Sequence, residues 1–266
     1  MKLVLIYHVY KNTTHLEASL ASIFNQTNKK FKLILVNDGA SKQVNNILKK
    51  FEFDKLNDFT YHSFNQNLGH SASFNVSLAS TDGDYVYYTG SNAILNKDFV
   101  KIIHQAVKTH PKTDIISFAG NQKNDGKISA FKNITPELQA IMTHSMKKKV
   151  FSITLLKNNN IRLNEDKYFP LVFIYEAMAK ARKWVFIDKQ LVSFESNRTY
   201  TYNLYDIFEM NDYLINKYQK TMFWKQNKDL IELWMIMFVI QVFIPRIFVS
   251  YKSNIARKAA LIKAKS

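Results

Sequence analysis

Short apolar runs recur along the chain at Leu3–Tyr7, Phe31–Val36, Tyr85–Tyr88, Ile115–Ala119 and Trp184–Ile187. Between them lie segments whose apolar positions repeat at helical spacing: Leu16–Phe24, Val44–Phe51, Phe99–Val107 and Ala177–Arg182. Runs that are apolar at consecutive rather than alternate positions predict strands covered on both faces. The alternation therefore predicts an α/β fold, with a mostly parallel central sheet flanked by helices and a ligand held beyond the carboxyl ends of the strands. The polar stretch Asn121–Lys127, with Gly126, reads as a turn, and Pro136 suits the first turn of a further helix.

The pattern changes toward the C-terminus. Leu230–Val249 is almost continuously apolar, but Glu232, Gln241, Pro245 and Arg246 interrupt it. A spanning helix needs a clean stretch of about 20 residues, so these interruptions argue against one. The tail Tyr251–Ser266 carries Lys252, Arg257, Lys258, Lys263 and Lys265 and no acid, while Ile255, Ala259, Leu261 and Ile262 can share a helix face. An aromatic-rich apolar segment beside a basic amphipathic one predicts an interfacial anchor on an anionic membrane surface. A buried C-terminal helix or dimer surface with a solvated basic tail is the alternative.

Length and charge narrow the picture further. A chain of 266 residues is enough for one large α/β domain with an appendage. Without cysteine there is no disulfide, thiolate metal site or cysteine nucleophile. The net charge of +16 favours polyanionic partners, among them nucleic acid, an anionic leaflet and phosphorylated ligands. No nucleic-acid module is recognisable and many aromatic residues fall in the apolar runs, so nucleic acid is not expected as a partner. Met1-Lys2 leads directly into a short strand-like run rather than a secretory signal. The expectation is a cytoplasmic protein, peripheral at the inner face of the cell membrane.

Four motifs carry the chemistry: Tyr7-His8-Val9-Tyr10-Lys11, the segment Leu16–Thr27, the strand end Val36-Asn37-Asp38-Gly39, and Asn65–Asn75. In order and spacing they resemble glycosyltransferase family 2, strongly over Met1 to Leu95, more weakly through Thr201, and not in the tail. The resemblance implies a GT-A fold, a nucleotide-diphospho-sugar donor, a glycan or lipid-linked acceptor, and transfer assisted by Mg²⁺ or Mn²⁺. It implies a nucleotide-sugar-binding domain over residues 1–200, and the composition of the tail adds a basic helical region over 201–266. The expected work is on cell-envelope polysaccharide or glycolipid, with a homo- or hetero-oligomer with another glycosyltransferase as a further expected partner.

By the same resemblance His8, Tyr10, Asp38, Gly39, Asn67, Gly69, Asn75, Ser91, Asn92 and Arg198 are the expected donor-binding residues. Small residues around Gly69 suit a helix N-terminus whose free N–H groups face phosphate, and His70 stands close to it. Several positions depart from the family pattern. Asn37 replaces the first of two strand-end aspartates, and Phe74 replaces an arginine. Gly90-Ser91-Asn92 falls where the family has Asp-x-Asp, and Phe169-Pro170 falls where it has its general base. Hard divalent cations are held by anionic oxygens, which Gly90 and Asn92 do not supply. The expectations are therefore no dedicated metal site, Asp166 as the candidate base with Glu176 more distant, and activity that is weak, metal-independent or lost. A non-catalytic scaffold paired with an active glycosyltransferase is the alternative.

Overall fold

The computed structural model describes residues 1–11, 13–119, 128–132, 145–164, 170–195 and 206–263. Its described residues fall into two compact units, one drawn from the first 195 residues and the other from residue 206 onward. The Asn121–Lys127 turn and the helix start at Pro136 lie outside the described residues.

The first unit opens with β1 (Leu3–Val9), α1 (Leu16–Phe24), β2 (Phe31–Asp38), α2 (Lys42–Leu48), β3 (Phe59–Phe64), α3 (Gly69–Ser80) and β4 (Tyr85–Gly90). It continues through β5 (Ala93–Leu95), α4 (Phe99–Thr109), β6 (Ile115–Ala119) and β7 (Ile128–Lys132). After a 3₁₀ turn over Met146–Lys148 come β8 (Lys149–Ser152), α5 (Ile153–Asn158), α6 (Pro170–Lys180), β9 (Lys183–Gln190) and β10 (Val192–Phe194). The main sheet runs β3-β2-β1-β4-β8-β6-β9-β7, and β5 pairs separately with β10. Strands β1 to β4 are parallel, and β8 runs antiparallel between β4 and β6. The α/β architecture with a mostly parallel sheet is thus the one the apolar runs predict.

Every residue of β1 is buried, as consecutive apolar positions require of a central strand. Alternate side chains serve opposite layers. Tyr87 packs its ring 4.9 Å from Phe99 of α4, while its neighbour Tyr88 meets Phe74 of α3 at 5.2 Å on the other face. Phe74 in turn lies edge-on to Phe173 of α6 at 5.4 Å. The position where an arginine was expected is therefore a core aromatic, fully buried.

One helix boundary differs from expectation, and one helix extends well beyond the residues expected in it. Helix α2 begins earlier because Ser41 caps it, its hydroxyl accepting from the Val44 N–H. Helix α6 begins at Pro170, well before Ala177, and is buried from Leu171 to Met178. A helix covered on all sides has no amphipathic period to read. Pro170, aligned with the family's base pair, is instead a first-turn proline.

The second unit is helical: α7 (Asp206–Tyr218), α8 (Met222–Phe238), a π turn over Val239–Phe243, α9 (Ile244–Ser250) and α10 (Asn254–Lys263). The residues that interrupt the apolar run do not end the helix. Trp224–Ser250 is one helical stretch of 27 residues, long and apolar enough by length and composition to cross a membrane. The π turn lies directly before Pro245, where the missing N–H and the ring's bulk disturb the ordinary ladder. Trp234, Phe243 and Ile247 are buried, whereas Ile236, Ile240 and Phe248 are more than half exposed.

Candidate functional site

The parallel strands β1, β2 and β4 end side by side, and their carboxyl ends carry His8, Asp38 and Gly90. Asp38 is fully buried. One of its oxygens accepts from the Leu68 N–H at 2.6 Å, and the other from the Gly69 N–H at 3.0 Å and His8 Nε2 at 2.9 Å. The carboxylate thus closes the N-terminus of α3, where its charge suits the helix dipole. The expectation that free N–H groups there face phosphate is corrected for Leu68 and Gly69, whose N–H groups are already engaged.

The same contact assigns the His8 proton to Nε2. Burial lowers the His8 pKa, with Asp38 opposing, so the ring is neutral near pH 7. His70 sits with its ring 4.3 Å from His8 and Nδ1 2.9 Å from the Tyr88 hydroxyl. Desolvation, then the neighbouring His8 and Lys147, push its pKa down to about 4.

Gly39 follows Asp38 at φ +68°, and a Cβ there would lie 2.7 Å from the Gln66 carbonyl carbon. Only glycine permits this turn to press on the 66–67 backbone. Gly69, at φ +84°, needs glycine for its conformation alone, since the space beside it is open. Asn67 Oδ1 accepts from the Gly69 N–H at 2.8 Å, and hydrogen bonds with Lys11 and Asn67 lower the Tyr10 pKa. His8, Tyr10, Asp38, Gly39, Asn67 and Gly69 therefore converge on one end of the sheet.

Two other expected residues have structural engagements. The Asn75 amide bridges the Leu163 backbone, donating to its carbonyl at 2.8 Å and accepting from its N–H at 3.0 Å. Asn37 donates to Asn45 Oδ1 at 2.8 Å and the Tyr61 hydroxyl at 2.7 Å, and accepts from the Ala40 N–H at 2.9 Å. An amide makes both donations, which an ionised aspartate at this position cannot.

Gly90 opens the loop to β5, and a Cβ there would stand 2.9 Å from the His8 carbonyl oxygen. A side chain at this position forces β1 and β4 apart. Ser91 and Asn92 are half-buried and their side chains make no hydrogen bond with the described residues, while the Asn92 carbonyl accepts from the Glu195 N–H at 2.9 Å. The loop offers a divalent cation one amide oxygen and one hydroxyl, both neutral. Among the described residues no group of three His, Asp or Glu can hold a metal. The donor set does not fit Mg²⁺ or Mn²⁺.

A polar face of α1 holds this loop in place. The Ser19 hydroxyl, fully buried, accepts from Tyr7 at 2.8 Å and donates to the Ala93 carbonyl at 2.5 Å, with the Gly90 carbonyl at 3.2 Å. Ser22 Oγ accepts from the Leu95 N–H at 3.0 Å, and Gln26 spans the Asn96 carbonyl and the Val100 N–H at 2.8 and 3.0 Å. The motif Leu16–Thr27 thus works through Ser19, Ser22 and Gln26, a role the sequence reading missed. Their i, i+3, i+7 spacing, polar on a face turned to the core, is the signal that was available. Asp166 and Arg198 lie outside the described residues, and Glu176 is buried on α6.

The model of glycosyl transferase family 2 matches residues 5–171. The chain belongs to glycosyl transferase family 2. Within the family, the glycosyltransferase GlyA of Streptococcus pneumoniae is 25% identical over 183 residues, covering 68% of this chain and 25% of GlyA. An uncharacterized glycosyltransferase of Haemophilus influenzae is 28% identical over 225 residues, 76% of this chain and 86% of that protein. The poly(ribitol-phosphate) beta-N-acetylglucosaminyltransferase TarS of Staphylococcus aureus is 25% identical over 177 residues, 64% of this chain and 30% of TarS. The crystal structure of TarS 1–349 superposes with a TM-score of 0.74 at 18% identity, covering 99% of this chain and 79% of that one. Its complex with UDP-GlcNAc gives 0.72 at 19% identity, covering 90% and 73%. These structures share the fold, and the chain spans only a quarter to a third of the length of GlyA and TarS.

Ser19→Ala removes the hydroxyl that joins β1 to the loop and leaves the Tyr7 hydroxyl and the Ala93 carbonyl without it. Unfolding in urea is expected to show a loss of about 2 kcal/mol. An unchanged midpoint contradicts the clamp.

Proposed function

We propose that this family 2 chain binds a nucleotide-diphospho-sugar across the carboxyl ends of β1, β2 and β4 and transfers the sugar to a cell-envelope glycan or lipid-linked acceptor. The observation that carries the reading is the convergence of His8, Tyr10, Asp38, Gly39, Asn67 and Gly69 beside the Gly90–Ala93 loop, within the span that matches the family. The UDP-GlcNAc held by TarS on the same fold supports a donor of this class. Residues 1–200 form the donor-binding domain in this reading. The neutral His8 ring and the Asn67 amide offer polar contacts to base or ribose, and Asn92 and Arg198 are the further residues read as binding the donor. Asp166 takes the acceptor hydroxyl's proton. Such a base must come within about 3 Å of that hydroxyl.

The uncharged residues at Asn37, Gly90 and Asn92 favour a second reading, a donor-binding scaffold that pairs with an active glycosyltransferase. Incubation with UDP-, GDP- and dTDP-sugars, scored for released nucleoside diphosphate with and without a lipid extract as acceptor, separates the two. Release that depends on the extract and is abolished in Asp166→Asn supports transfer. Donor binding without release supports the scaffold, and absence of binding to every donor contradicts both.

Residues 201–266 serve as a basic helical region that rests on an anionic membrane surface. Supporting this are the exposed Ile236, Ile240 and Phe248 on the long apolar helix and the exposed Ile255 and Ile262 on α10. Apolar burial and lysine attraction to anionic lipid act together in such a helix. Flotation with vesicles containing about a third phosphatidylglycerol is expected to carry the full chain upward, and Ile236→Glu with Ile240→Glu to reduce the floated fraction several-fold. Equal flotation of both chains removes the membrane from the account.

A further inference from the structure

If a nucleoside diphosphate binds at these strand ends, its negative charge must be met by something other than the loop after β4. That loop carries no anionic group to hold a cation, and the Leu68 and Gly69 N–H groups are held by Asp38. The structure does place a cation there. The 3₁₀ turn Met146–Lys148 packs against β4 and β6. Its backbone is tied down by the Tyr87 hydroxyl, which donates to the Lys147 carbonyl at 3.0 Å. In the antiparallel pairing of β8 with β4, Tyr85 faces Ser152 and Val86 faces Phe151.

The Lys147 side chain turns toward the same loop. Its Nζ lies 5.6 Å from the centre of the Phe194 ring, and Phe194 pairs with Ala93 directly after Asn92. From the other side its charge reaches His70 at the start of α3 and is one cause of that ring's lowered pKa. The ammonium therefore lies beside the end of β10, whose Phe194 pairs with Ala93 of the loop, and within electrostatic reach of His70. Solvent reaches the side chain, yet the protein around it desolvates the charge and lowers its pKa. No carboxylate among the described residues pairs with it. Its neighbour Lys149 is fully buried, with Nζ 5.7 Å from the Trp184 ring centre, and is closed off from a ligand.

We propose that Lys147 presents its ammonium to the donor's diphosphate at the Gly90–Ala93 loop, supplying from the protein the positive charge that this loop cannot recruit as a divalent cation. The proposal rests on the donor reading above and goes beyond it by assigning the group that meets the phosphates. An ammonium donates hydrogen bonds to phosphate oxygens as a point charge. Its partial desolvation strengthens that attraction relative to a fully solvated lysine.

Calorimetric titration of the full chain with UDP, GDP, dTDP and ADP and the matching monophosphates, in EDTA and then in Mn²⁺, tests this. Lys147→Met is expected to weaken diphosphate binding about 10- to 100-fold and to leave monophosphate binding within about threefold. Lys147→Arg, which keeps the charge, is expected to retain most of the affinity. Because the side chain is exposed, the thermal melt of either variant should match the parent. Diphosphate binding by Lys147→Met equal to that of the parent overturns the assignment and leaves the donor reading standing. So does a tenfold or larger gain on adding Mn²⁺ to the parent. Failure of the parent to bind any nucleotide overturns both.

Discussion

The buried carboxylate of Asp38 is the interaction on which this end of the molecule depends. Removing an ionised carboxylate from water costs several kcal/mol unless donors replace the lost hydration. Here His8 from β1 and the Leu68 and Gly69 N–H groups at the entrance to α3 do so. Three segments distant in sequence are thereby fixed around one side chain. Gly39 follows because the chain must then turn away with positive φ against the 66–67 backbone. The His8 tautomer, the position of His70 above it and the first turn of α3 follow as well. A site of this kind is preorganised before any ligand arrives, which lowers the ordering cost of binding.

The same economy shapes the loop after β4. A carboxylate at position 90 conflicts with the His8 carbonyl, and the loop's carbonyls are held by Ser19 from below and by Glu195 from the side. Asn37, at the other position where family acids stand, uses its amide to brace the β2 exit. The uncharged residues thus belong to a packed arrangement rather than to isolated gaps in a metal site. In this account the charge for the phosphates comes from the protein, through Lys147 on a turn that the sheet itself positions.

Much of this was legible in the sequence where burial is complete and symmetrical. The runs at β1, β2, β4, β6 and β9 are apolar at successive positions because both faces are covered, and the parallel sheet follows from them. Asp38, Gly39 and Gly69 stood out through the family resemblance, while the buried carboxylate at the α3 N-terminus and the positive-φ turns are what the fold adds. Strand β3, at the sheet edge and half-exposed, carries too weak a pattern to read. Strand β8 begins with a buried lysine, which no hydropathy pattern assigns to a core. The engagement of Asn75 with Leu163, and of Ser19 with Ala93, joins residues some seventy or more positions apart. Only the fold brings such pairs together. Pro245 interrupts the apolar run without ending the helix, because a π turn precedes it.

The central claim is that the strand ends of this family 2 chain hold a nucleoside diphosphate through a protein cation. It is tested most directly by a crystal structure of the full chain grown with UDP and Mn²⁺ and measured at the manganese absorption edge. The account predicts the diphosphate beside the Gly90–Ala93 loop, with Lys147 Nζ about 3 Å from a phosphate oxygen and no anomalous peak next to Asn92. A manganese peak bridging Asn92 and the phosphates, with Lys147 turned away, would contradict it.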